Sequence, residues 1–228
     1  MAELPKLVRV IDTESTGIED DAQVVEIGSV DWTGSENELG NAKQTFVKPT
    51  IHIPATASAV HHITDDMVAE APAFEDAITQ FEGAPIYAAH NAAFDMRMLK
   101  IKAHWVCTYK VAYECFPDAP AYGNQVLRYW LDLAPLPEWI GSLAHRALFD
   151  AWTTGRLFER LLFEKTVAEM IEISRRPILL RSFGFGKHVG VPLAQVPRDY
   201  LDWMLRQDFD EDVVYTARHY LTFDQGTR

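Results

Sequence analysis

Cysteine is scarce in this chain: Cys107 and Cys115 are the only two among 228 residues. One pair makes no disulfide framework, and its spacing matches no zinc signature, so two packed thiols in a reducing compartment are expected. No apolar run is long enough to cross a bilayer and no charged-then-apolar leader is seen, which excludes a membrane role on this reading and points to the cytoplasm. Internal repeats and low-complexity tracts are absent. Positive charge is short as well. Lys and Arg number 21 against 33 Asp and Glu, leaving a formal charge of −12. That argues against a protein that grips nucleic acid with its whole surface. Four carboxylates loaded with divalent metal would account for part of the excess. What remains is an ordinary globular composition, 48% hydrophobic and 24% charged, large enough for one sizeable core or a domain with a smaller appendage.

Within that composition the chain is organised around Val8-Arg9-Val10-Ile11-Asp12-Thr13-Glu14. A short apolar run ends in two carboxylates separated by one residue. On a strand, Asp12 and Glu14 share a face and Thr13 takes the other. The two acids are then about 7 Å apart, within reach of one hard cation or two neighbouring ones. Side by side they repel unless something positive lies between them.

Residues 23–32 and 44–48 read as second and third strands, giving an antiparallel meander with this run. Helices are expected over 55–61, after Thr64 as an N-cap, and over 74–81. Residues 86–89 read as a strand, Asn91 as the cap of a helix over 92–100, and 105–107 as another strand. Helices over 109–116, 124–131 and 144–164 follow. On the last of these Asp150, Thr154, Leu157 and Leu161 share a face. The order β-β-β-α-β-α-β-α describes an α/β protein with a mixed sheet flanked by helices. Arg175-Arg176-Pro177 reads as a boundary, with a small C-terminal unit beyond it that includes a helix over 200–206. The division expected is a main domain over 1–166 and a basic linker plus small unit over 167–228. From Lys165 to Lys187 five basic residues (Lys165, Arg175, Arg176, Arg181, Lys187) meet two acids (Glu169, Glu172); this stretch reads either as a nucleic-acid path or as a solvated face.

A third acid, Asp95, lies one turn into the helix that Asn91 starts. A fourth, Asp150, follows His145 by five residues. Five helical residues rotate by about 500°, so His145 and Asp150 face one centre only if His145 sits on the loop before the helix. Taken singly, these residues read as an acidic turn, a helix-dipole partner and a surface histidine. Together they form a set.

Asp12-Thr13-Glu14, His90-Asn91 through Asp95, and His145 through Asp150 resemble, in order, the three motifs of the DEDDh (DnaQ-like) exonuclease family. The resemblance covers roughly residues 7 to 165. Ala59-Val60-His61-His62-Ile63-Thr64 is similar to the family segment that reaches the terminal nucleotide, with His62 where glycine is common. Phe183-Gly184-Phe185-Gly186-Lys187-His188-Val189-Gly190 resembles the C-terminal unit of the family's exonuclease X-like members. It is not a phosphate-binding P-loop, because no Ser or Thr follows Lys187.

The resemblance implies a ribonuclease H-like sheet of five strands and metal-dependent 3′–5′ cleavage that releases 5′-mononucleotides from a DNA 3′ end, in repair or proofreading. It implies two Mg²⁺ or Mn²⁺ ions held by Asp12, Glu14, Asp95 and Asp150, with His145 taking the proton from the attacking water. Thr13, Ile18, His61, Asn91, Phe94 and Lys187 are the implied substrate contacts. Two alternatives stay open at this point: the same chemistry on RNA, and a non-catalytic binding module. Tyr200, Trp203 and nearby acids read either as a docking surface for a polymerase or repair partner, or as a small packed core.

Overall fold

The computed structural model describes residues 5–34, 38–140 and 144–223. The chain forms two compact units, Met1–Ser174 and Arg175–Arg228. In the first unit, strands β1 (Leu7–Ser15), β2 (Val24–Thr33), β3 (Glu38–Phe46), β4 (Ile86–Ala89) and β5 (His104–Cys107) form one sheet in the order β3-β2-β1-β4-β5. β1 is antiparallel to β2 and parallel to β4, and β4 is parallel to β5. This is the mixed five-stranded sheet expected from the sequence, with β3 longer than anticipated and β1 at its centre.

The register explains why the end of β1 is open. Its pairing with β4 is confined to Arg9↔Tyr87 and Val10↔Ala88, while its pairing with β2 continues to Glu14↔Glu26. Asp12 to Glu14 therefore project beyond the parallel partner, at the carboxyl ends of β1 and β4, where α/β sheets commonly leave a crevice.

Side-chain alternation then sorts the core. Val8, Val10, Val30 and Trp32 face one layer, made by α5 (Thr108–Cys115), α6 (Asn124–Trp130), α7 (Ala147–Leu161) and α8 (Val167–Ser174). Before these in the chain come α1 (Ala55–His61), α2 (Asp65–Val68), α3 (Phe74–Ala77) and α4 (Ala92–Leu99). Ile11, Ile27, Tyr87 and Trp105 pack on the opposite side with Phe81, Met98 and Leu99, around α4. By the same parity Asp12 and Glu14 belong to the α7 face and Thr13 to the α4 face.

Gly28 lies opposite Asp12 on β2. A Cβ there would stand 2.2 Å from the Leu148 amide nitrogen and 2.3 Å from the Ala147 carbonyl carbon. The first turn of α7 thus rests directly on β2 backbone, which brings Asp150 over Asp12. As expected, Thr154, Leu157 and Leu161 line the buried face of α7.

Several expectations are corrected. α7 begins at Ala147, not Ala144, because His145 takes a left-handed conformation (φ 61°) that no right-handed helix continues through. Residues 167–174 are helix rather than linker: Val167, Met170, Ile171 and Ile173 make an apolar stripe buried against β5 and α5. The two compact units divide at Arg175, where Arg175-Arg176-Pro177 reads as a boundary in the sequence. Neither Thr64 nor Asn91 makes a side-chain capping bond, and the expected helix over 74–81 becomes a 3-10 turn at Ile78.

In the second unit α9 (Arg198–Met204) and α10 (Glu211–Phe223), the latter unforeseen, share a core of Phe183, Leu193, Val196, Leu201, Met204, Val213 and Ala217. Tyr200 packs against this core, whereas Trp203 stays 45% exposed.

Gly28→Ala should destabilise the protein by about 1–3 kcal/mol, the usual range for overpacking a core contact. Urea unfolding checks this; an unchanged midpoint would mean that α7 can be lifted off β2 without penalty.

Candidate active site

Three carboxylates converge at the open end of β1. Asp12 and Glu14 come from alternate positions of the strand, and Asp150 from the first turn of α7 above Gly28. Each offers an oxygen, and these oxygens lie within 4.8 Å of one another. They line an open cleft of about 380 Å³, with Thr13, His90, Asn124, Gln125, Val126 and His145 among its other wall residues.

Both oxygens of Asp150 are aimed. Gln125 Nε2 donates to Oδ1 at 3.1 Å, and the His145 backbone N–H donates to Oδ2 at 2.7 Å. Asn124 Nδ2 adds a bond to the Asp150 carbonyl at 3.2 Å and one to Thr154 Oγ1 at 3.0 Å. The side chain of α7 that matters most is thus oriented by α6, through residues not foreseen from the sequence. Nothing in the local pattern marks Gln125 apart from its place on a helix that returns to the sheet end.

Asp95 stands apart from the other three. It is buried on α4, on the opposite side of β1, and accepts a hydrogen bond from Thr13 Oγ1 at 2.9 Å. Thr13, expected to touch substrate, therefore also anchors the fourth acid.

His145 is exposed and immediately precedes the α7 N-cap Arg146, on the loop where the geometry of the motif requires it. His90 is a wall residue held on both sides, with Nδ1 3.0 Å from Thr108 Oγ1 and Nε2 2.7 Å from the Tyr122 carbonyl oxygen. Burial lowers its pKa to about 4, so it stays neutral.

The implied substrate contacts divide. Ile18 is 78% exposed, and its loop is tied to α4 by Arg97, which donates to the Ile18 carbonyl and to Asp20 at 2.8 Å each. The same guanidinium lies 5.4 Å from the centre of the Phe94 ring. Asn91 is exposed at the start of α4 with φ 66°. Ile18, Asn91 and Phe94 are not wall residues of the cleft. His61 is only 2% exposed, accepts the Ile63 N–H at Nδ1, and turns Nε2 toward the Ser15 carbonyl. Both ring nitrogens are thereby used inside the protein, and the residue braces the end of β1 rather than reaching outward. His62 beside it ends α1 with φ 61°, a left-handed position that favours glycine. Lys187 is exposed in the second unit, after a turn at Gly186 with φ 75°.

Comparison with known proteins agrees with this geometry. A family model described as exonuclease matches residues 10–158. Exodeoxyribonuclease 10 of Escherichia coli strain K12 is 34% identical over 223 residues, covering 94% of this chain and 99% of its own. The structure of exonuclease X in complex with 5′ overhanging duplex DNA superposes with a TM-score of 0.67 at 35% identity, over 73% of this chain and 99% of that one. The nuclease domain of 3′hExo, a DEDDh family member bound to rAMP, shares the fold with a TM-score of 0.55 at 17% identity, over 71% and 94%. This chain belongs to the DEDDh exonuclease family.

The exonuclease site is charged in a way that calls for a cation. Burial, then repulsion from Asp95, Asp150 and Glu14, raises the Asp12 pKa well above the carboxylate range. Burial and the Asp150 charge lift Glu14 to about 8, and burial lifts Asp95 to about 7. Asp150 is also raised, chiefly by burial. A set of oxygen donors that cannot all ionise by themselves fits a hard divalent metal, whose charge would restore ionisation.

The sign of the pH dependence follows. The fold favours the protonated acids, so in metal-free protein this contribution is complete below about pH 4 and is lost as pH rises through about 7 for Asp95 and about 8 for Glu14. Urea unfolding in EDTA should show stability falling from pH 5 to pH 8.5, and saturating Mg²⁺ should restore more stability at pH 8.5 than at pH 5. A metal effect that is larger at pH 5 would contradict this account of the site.

Proposed function

We propose that this exonuclease is a metal-dependent 3′–5′ exodeoxyribonuclease that removes 5′-mononucleotides from DNA 3′ ends. The observation that carries the reading is the convergence of Asp12, Glu14 and Asp150 below an exposed His145. The relative named exodeoxyribonuclease 10, alike along nearly the whole chain, favours DNA. So does exonuclease X, whose structure contains duplex DNA.

Asp12, Glu14 and Asp150 would hold one Mg²⁺ or Mn²⁺ ion, and Asp12 with Asp95 a second. When bound, the ions supply the positive charge that an anionic phosphodiester, its attacking water and its departing oxygen all require. The protein's own part is positioning and proton transfer. Gln125 and the His145 amide orient Asp150, and Thr13 holds Asp95. His145, exposed at the mouth, takes the proton from the attacking water. Ile18, Asn91 and Phe94 meet the terminal nucleotide, with Ile18 against its base. Lys187, on the second unit, is a further substrate contact in this reading. The reaction class fits repair or proofreading. A cytoplasmic location is part of the proposal: both cysteines are free thiols, and among the described residues no helix is long and apolar enough to cross a membrane.

Digestion of 5′-labelled single-stranded DNA and the matching RNA, with Mg²⁺ and with EDTA, tests the reading. A ladder that shortens from the 3′ end only with metal, and faster on DNA, is expected. Faster loss of RNA would keep the chemistry and change the substrate; intact oligonucleotides that are still bound would leave a binding module. Asp12→Ala and Asp150→Ala should abolish cleavage while keeping the fold, and His145→Ala should lower the rate by about 10²–10⁴, the usual contribution of a general base.

A further inference from the structure

Glu26 is fully buried on β2, opposite Glu14 in the ladder and therefore on the same face of the sheet. It accepts four hydrogen bonds. Arg146 supplies two in a bidentate fork, Nε to Oε2 at 3.0 Å and Nη2 to Oε1 at 2.5 Å. The Ala147 amide supplies a third at 2.9 Å, and Gln44 Nε2 a fourth at 2.5 Å. Three of the four donors belong to the two residues that follow His145.

His145 itself is held from the other direction by its own N–H on Asp150. Its backbone is left-handed, with φ 61°. For a residue with a side chain that conformation is strained and persists only where the surroundings over-determine it. The imidazole is exposed at the mouth, and among the described residues it makes no hydrogen bond of its own. Its direction is therefore open to control through the backbone. A buried ion pair is a poor choice for stability alone, since apolar residues of similar volume generally do as well. A guanidinium fork, by contrast, fixes direction as well as distance.

We propose that the Glu26–Arg146 pair is a positioning device for His145, fixing residues 146–147 so that the strained residue before them presents its imidazole to the attacking water. The inference rests on the reading of His145 as the base. Arg146 also places a positive charge between Glu26 and Glu14, so a rival role, tuning the acids, must be separated from positioning.

A double-mutant cycle does this with the full chain. Single-turnover cleavage of a 5′-labelled oligonucleotide is measured for the parent, Arg146→Ala, His145→Ala and the double variant. Arg146→Ala should lower the single-turnover rate about 100-fold, the size expected when a reacting group is misplaced by about 1 Å, with KM little changed. In the His145→Ala background the same change should have less than a twofold effect, because no base remains to misplace. An equal loss in both backgrounds would assign Arg146 to the acids or to general stability and overturn the proposal, as would no loss in the parent. Arg146→Lys, which keeps the charge and loses the fork, is run through the same cycle. It should behave like Arg146→Ala if direction matters and like the parent if only charge does, and it keeps the test open should the alanine variant unfold. Failure of the exonuclease reading itself would show separately, as a parent protein that shortens no oligonucleotide.

Discussion

Like charges held close together in a poorly solvated place are the constraint on which the rest of this structure depends. Asp12, Glu14 and Asp150 bring oxygens within 4.8 Å of one another, an arrangement that water and flexible loops would relax at once. Only a scaffold stiff on every side keeps it. The central strand fixes two of the acids, because its pairing with β2 runs to Glu14 while its pairing with β4 stops at Val10. The third is pressed down by a helix whose backbone meets β2 where Gly28 has no side chain. Its carboxylate is then turned by Gln125 and by the amide of His145.

Strand parity decides how the fourth acid takes part. Thr13 faces away from Asp12 and Glu14, and Asp95 is bonded to it on the α4 side. The four carboxylates thus come from both faces of the sheet and repel one another at its open end, where Asp95 has the largest charge effect on Asp12. The histidines follow the same logic. His61 is buried and His90 half-buried, each with its ring nitrogens engaged inside the protein, and burial lowers the pKa of both. Of the histidines on the cleft wall, His145 is the exposed one, and its backbone is left-handed.

This division explains what the sequence discloses. Alternation along 8–14 is local, so the shared face of Asp12 and Glu14 follows from covalent geometry, and the rotation between His145 and Asp150 places His145 on a loop. The stripe at Val167, Met170 and Ile171 is equally local, and so is the boundary at Arg175-Arg176-Pro177 that follows it. Other features are not local at all. That Glu26 faces Arg146, 120 residues away, and that Gln125 faces Asp150 depend on α6 and α7 arriving at one strand end. An acid inside the β2 run, where Asp31 is a second, was the available signal for the first. His61 shows the reverse hazard: a motif position was legible, whereas its burial was set by the chain around Ser15 and Ile63.

β1 also carries its own control. At its other end Arg9 is buried too, forked onto Asp31 at 2.7 and 2.9 Å, with its remaining donors on the carbonyls of Phe81 and Glu82. Asn41 adds a bond to the same aspartate at 2.6 Å. Charge there is matched inside the protein, donor for acceptor, and nothing further is needed from outside. Six residues from Arg9, at Ser15, the same strand has passed two carboxylates on which the largest charge effects come from other carboxylates. Burial alone does not separate these two ends, since both lie in the same sheet. What separates them is whether the protein balances its own charge. An end that balances it is structure; an end that leaves it unbalanced, while spending a glycine, a glutamine and a strained histidine to keep it so, is a site waiting for a cation and an anionic substrate.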